Sequence, residues 1–143
     1  VHCCHCGVCQ RQSGSAFAVN ALIEAARVRL LQGNVTEITV PSPSGKNQVI
    51  ARCPICQVAV WSNYLVFYKG ILGDAIRFIR VGTLDDPSKM PPDIHIFTSS
   101  KQPWVALPPD AQVVEEYYVT RDIWPKESLE RMAAMLAAVQ NPD

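Results

Sequence analysis

Three cysteines within six residues constrain this chain more than any other feature: Cys4, Cys6 and Cys9, spaced Cys-x-Cys-x-x-Cys around His5, Gly7 and Val8. Side chains alternate along extended backbone, so a strand through residues 3 to 6 puts Cys4 and Cys6 on one face and sends Cys3 and His5 to the other. Gly7 eases a turn that brings Cys9 round to join them. Three thiolates then surround one point with no fourth ligand beside them. Structural zinc sites close with four protein ligands, whereas catalytic ones keep three and leave a position open. A closed site completed by His2, His5 or Cys3 is the alternative, and strand alternation turns His5 and Cys3 away from it. Cys3 reads instead as a small buried hydrophobe. A second pair, Cys53-Pro54-Ile55-Cys56, has zinc-knuckle spacing with a turn-forming proline inside it.

Six cysteines in 143 residues also suit a disulfide-stapled secreted domain. The crowding of Cys3, Cys4, Cys6 and Cys9 argues against that, because near neighbours make poor disulfide partners. A chain of this length holds one core without staples, and its 48% hydrophobic content supports a single domain over residues 1–143. The 13 basic and 13 acidic residues cancel, which leaves no electrostatic footprint for nucleic acid. No apolar run approaches the roughly 20 residues of a membrane span, and the N-terminus lacks the order of a signal peptide. The composition reads as a cytoplasmic protein that binds neither nucleic acid nor membrane.

Eleven prolines, several in short polar clusters, cut the chain into brief segments suited to a mainly β architecture. Thr36–Val40, Gln48–Arg52, Val58–Ser62, Ala75–Val81 and Ile94–Thr98 are predicted strands. From Pro125 to Gln140, Leu129, Met132, Ala133, Leu136 and Val139 recur at helical intervals and predict a C-terminal helix with an apolar stripe. Phe17–Leu31 is ambiguous: Ala21 to Arg27 favours helix, while Arg27 to Leu30 alternates like a strand. Pattern alone leans towards helix there.

In order along residues 2 to 124, the cysteine cluster, Gln10-Arg11-Gln12-Ser13-Gly14-Ser15-Ala16-Phe17, Cys53-Pro54-Ile55-Cys56, Val81-Gly82-Thr83-Leu84-Asp85-Asp86-Pro87, and His95-Ile96 with Lys101 and Trp104 resemble the glutathione-dependent formaldehyde-activating enzyme family. That family also includes centromere protein V. The resemblance implies a β-tent fold of packed antiparallel sheets with zinc sites, and strands through most of Phe17–Leu31. It implies a catalytic zinc held by Cys4, Cys6 and Cys9, with Cys53 and Cys56 as half of a structural zinc site. The other half comes in the family from an upstream Cys-x-Cys-Gly segment, so the start at Val1 is expected to reflect an N-terminal truncation. Gln57 departs from the glycine many relatives carry and is expected to alter the knuckle turn.

Ser13 and Gly14 are implied to lie near the substrate, although a turn or helix cap explains a Ser-Gly-Ser run equally well. His95, between Ile94 and Ile96, is either an ordinary core histidine or a pocket residue and general base, with Asp85 and Asp86 as the other candidate bases. Lys101 and Trp104 are either surface charge and core aromatic, or a pair holding the carboxylate and peptide backbone of a glutathione adduct. The implied activity is that of a zinc-dependent carbon–sulfur lyase acting on a small-molecule thiol adduct such as S-hydroxymethylglutathione. The alternative from another class is a non-catalytic zinc-binding β-tent module that binds a protein partner; the neutral charge weighs against a chromosome-associated member. A rubredoxin-like iron site is a third reading, disfavoured by the extra cysteine in the first cluster.

Overall fold

The computed structural model describes residues 1–140. Strands β1 (His2–Cys4), β2 (Ala18–Glu24), β3 (Thr36–Pro41), β4 (Asn47–Arg52), β5 (Ala59–Tyr64), β6 (Ile76–Arg80) and β7 (Ile94–Ile96) are joined by helices α1 (Gly7–Ser13), α2 (Thr120–Ile123) and α3 (Lys126–Gln140). The strands form one sheet in the order β3-β4-β5-β6-β2-β1-β7. Every neighbouring pair is antiparallel except β1 and β7, which run parallel. The fold is therefore mainly β with a C-terminal helix, its hydrogen bonding continuous across seven strands with one parallel pair. No helix among the described residues is long and apolar enough to cross a membrane.

All five strands expected from composition form, with ends shifted by a residue or two. The helical leaning over Phe17–Leu31 is overturned: Ala18–Glu24 is strand β2, Ala25–Arg27 a single 3-10 turn, and residues 28–31 carry no regular structure. Tertiary pairing decided this. β2 lies between β1 and β6, pairing Asn20 with both His2 and Arg80, and its small residues Ala18 and Ala21 are buried there. Helical propensity is worth a few tenths of a kcal/mol per residue, less than the two hydrogen-bonded ladders that replace it.

Two apolar clusters form the core. One gathers Cys4, Cys9, Ala18, Ile94 and Ile96, so two cysteines of the N-terminal motif belong to the core itself. The other gathers Phe67, Leu72, Ile76, Phe78 and Met132, with Leu129, Met135 and Leu136 of α3 packed against it. α3 thus docks as expected, but Ala133 and Val139 of the predicted stripe face solvent and Met135 takes part instead. Gly73 meets the Leu65 backbone so closely that a Cβ would lie 2.7 Å from the Leu65 Cα.

Candidate metal centre

The cysteine motif spans a strand end and a helix start. β1 delivers Cys4, and Cys6 is the N-cap of α1, its backbone extended at φ −65° and ψ 151°. The Cys9 amide donates to the Cys6 sulfur at 3.4 Å, and Gly14, left-handed at φ 65°, ends the helix two turns later. The Gln10 side-chain amide donates to the His5 carbonyl at 2.6 Å and the Ser100 hydroxyl donates to it at 3.2 Å, which fixes the turn between β1 and α1. The three sulfurs of Cys4, Cys6 and Cys9 consequently lie within 4.8 Å of one another.

A tetrahedral zinc with Zn–S bonds near 2.3 Å has sulfur–sulfur edges of about 3.8 Å. Sulfurs within 4.8 Å of one another are close to that spacing, and the donor set fits such an ion. Thiol–thiolate hydrogen bonding already polarises the cluster: donation from Cys4, then Cys9, together with nearby backbone amides, drives the Cys6 thiol down to about 2, while the same sharing pushes Cys4 far up. Arg80 adds positive charge beside Cys9. Its guanidinium is held by the Gln12 side-chain oxygen at 3.1 Å and by Asn20. Three thiolates around a divalent ion carry a net charge of about −1, which a nearby guanidinium offsets.

The fourth side of the cluster is open. Cys4, Cys6 and Cys9 line a cavity of about 990 Å³. Tyr64 stands over it with its hydroxyl 3.9 Å from the Cys9 sulfur. His2 borders the same cavity, on the Cys4 face of β1, and burial holds its imidazole down to about 4. Its Nε2 is hydrogen-bonded to the Tyr118 hydroxyl. Because Trp124 Nε1 donates to that hydroxyl at 2.7 Å, the tyrosine's own proton points at His2.

Other residues singled out in the sequence lie elsewhere. Cys3 and His5 face away from the three sulfurs, as alternation expects, and meet His95, which pairs with Cys3 across β1 and β7. His5 Nε2 and His95 Nδ1 are 3.0 Å apart, the Cys3 sulfur is 3.6 Å from the same His5 nitrogen, and one donor atom from each of the three falls within 4.8 Å of the others. His5 Nδ1 is buried without a partner. His95 therefore occupies the face opposite the cysteine cavity. Ser13 and Gly14 close α1, the serine hydroxyl donating to the Cys9 carbonyl at 2.8 Å. Lys101 Nζ donates to the Val105 and Gln102 carbonyls at 2.7 and 3.1 Å, and Trp104 is 74% exposed. Asp85 and Asp86 sit on exposed turns, Asp86 accepting from Ser88 and pairing with Lys89. None of these residues lines the cysteine cavity.

Cys53 and Cys56 form a tight turn in which the Gln57 amide donates to the Cys53 carbonyl at 2.9 Å, Gln57 itself being left-handed at φ 62°. The backbone amides of Cys56 and Ile55 hold the Cys53 thiol below its ordinary value. The pair belongs to neither cluster of three or more donors found among the described residues. Tyr64, Arg80 and Tyr118 carried no motif in the sequence, and their only signal is three-dimensional proximity to Cys4, Cys6 and Cys9; His2, which the sequence offered only as a fourth ligand, borders the cavity on the Cys4 face of β1.

Among curated proteins no match is found. The family model described as glutathione-dependent formaldehyde-activating enzyme matches residues 1–100. That span holds β1 to β7, all three clustered sulfurs and the Cys53–Cys56 turn, and on this match the chain belongs to the glutathione-dependent formaldehyde-activating enzyme family.

Proposed function

We propose that the chain is a zinc-dependent carbon–sulfur lyase acting on a hydroxyalkyl adduct of glutathione or a similar thiol. The observation that carries this reading is the open side of the Cys4, Cys6 and Cys9 cluster, which faces a cavity large enough for a tripeptide-sized ligand. Zinc held there supplies a soft cation that favours sulfur and stabilises it as thiolate. Cleavage of the adduct breaks its carbon–sulfur bond, leaves the electron pair on sulfur, and releases the hydroxyl proton as the carbonyl forms. On the cavity face the acceptor for that proton is His2, neutral because burial lowers it, reached through the Tyr118 hydroxyl. Tyr64, Phe67 and Phe78 form an apolar wall that keeps water from the reacting atoms. His95, on the opposite face, acts in this reading through His5, whose position fixes the turn that carries Cys6.

The test is formaldehyde release from S-hydroxymethylglutathione by the purified protein, before and after its metal is stripped and zinc restored. Turnover that disappears with the metal and returns with zinc supports the proposal. A zinc-loaded, folded protein with no turnover across a panel of thiol adducts refutes it and leaves a zinc-folded module that binds a protein partner.

A further inference from the structure

The cavity beside the three cysteines is much larger than a one-carbon adduct needs on its carbonyl side. Its volume of about 990 Å³ lies at the upper end for small-molecule sites, which run from roughly 300 to 1,000 Å³. Two groups of rings line it: Tyr64, Phe67 and Phe78, and, from the segments after β7, Phe97, Tyr117 and Tyr118, of which Phe97 and Tyr118 pack against the core cluster that holds Cys4 and Cys9. The rings are already organised. Tyr117 and Tyr118 stack with centroids 4.7 Å apart at 12°, and Tyr64 meets Phe78 edge-on at 4.8 Å. Tyr117, with Phe97 tilted against it at 6.2 Å and His2 edge-on at 5.8 Å, nevertheless remains 42% exposed. Phe97 is held in the left-handed region at φ 55° and ψ 42°, a conformation costly for a bulky side chain and sustained here at the cavity wall. The charged side chains of the lining are Arg11 and Arg121, with no aspartate or glutamate among them. Such a cavity suits an anionic ligand with a large apolar body.

We infer that this site takes thiol adducts whose carbonyl-derived part is an aromatic ring, with the ring packed against Phe97 and Tyr117 and the thiol's carboxylates towards Arg11 and Arg121. This rests on the thiol-adduct reading above and names its substrate class. The reaction is unchanged: the same carbon–sulfur bond breaks, and the released carbonyl compound is an arenecarbaldehyde instead of formaldehyde.

Inert thioethers separate the two ideas without requiring turnover. S-benzylglutathione, S-hexylglutathione and S-methylglutathione are titrated calorimetrically into the zinc-loaded protein. The expected result is benzyl binding at least tenfold tighter than methyl and tighter than hexyl. Tyr117→Ala should cut the benzyl advantage at least threefold while leaving methyl affinity within twofold. Circular dichroism checks the fold, and Phe97→Leu serves as the second variant. Equal affinities for benzyl and methyl, or hexyl binding tighter than benzyl, overturn the aromatic assignment while the thiol-adduct reading stands. A benzyl preference untouched by both substitutions overturns the placement of the ring. No binding of any of the three overturns both readings together.

Discussion

Cys6 has two jobs that one substitution can separate. Its sulfur is a candidate metal ligand, and it caps α1 by accepting the Cys9 amide. Serine is a good N-cap but a poor ligand for a soft ion, so Cys6→Ser should keep α1 and lose the metal. Elemental analysis should show bound zinc falling from about one per chain to below a tenth, with far-ultraviolet circular dichroism unchanged. Cys6→Ala removes the cap as well and should cost about 1 kcal/mol more in the metal-free protein. Retention of zinc by the folded serine variant would remove Cys6 from the site. The three sulfurs were legible because strand alternation and one short turn decide their meeting within six residues. Arg80, Tyr64 and Tyr118 were not, since β6, β5 and the segment before α2 reach the cluster only after the sheet has formed. His95 shows the limit from the other side. Its residue type invites a catalytic role, yet its register opposite Cys3, which fixes its face, comes from a parallel pairing with no local signature.

At the scale of elements, β2 and α3 show when local pattern suffices. α3 was legible because its apolar residues recur along a long window, whereas β2 is a helix-favouring sequence captured by two neighbouring strands. Its small alanines fit a sheet interior, and propensity does not register that. The helix is fastened to the sheet by Met132, which enters the second core cluster, and to β2 by the Arg131–Glu24 ion pair at 2.5 Å. Met132→Ala should destabilise the protein by about 2 kcal/mol or more in urea unfolding, the usual cost of truncating a buried methionine. The ion pair contributes less, because Arg131 is about half exposed. Burial pushes the Glu24 carboxyl up, but its backbone amide and Arg131 outweigh this and hold it below the usual range. A depressed folded value means stability that is present above the unfolded value of about 4.3 and is lost as pH falls through the folded one. Acidification from pH 6 to 3 should therefore cost wild type up to about 1 kcal/mol more than Arg131→Gln. Identical acid profiles for the two proteins would show that the pair does not couple α3 to the sheet.

Across the whole molecule, the two core clusters should respond differently to a metal bound at the three sulfurs. The first is built around Cys4 and Cys9 with Ile94 and Ile96, so its packing includes candidate metal ligands. The second contains none and is closed by α3. A ligand that binds only the folded state stabilises it in proportion to the logarithm of its concentration over its dissociation constant, and the gain falls first on the elements it ties together. Chelation should therefore expose β1, α1 and β7 to hydrogen exchange well before β4, β5 and α3, and restored zinc should recover their protection. The Cys53–Cys56 turn supplies a control. It lies outside both core clusters and both donor clusters, so replacing both cysteines by serine should leave this pattern intact. Lowering pH should weaken zinc binding, because thiolates must give up the ion as they take protons. Uniform loss of protection on chelation, or loss confined to residues 53–57, would place the structural role of the metal elsewhere in the chain.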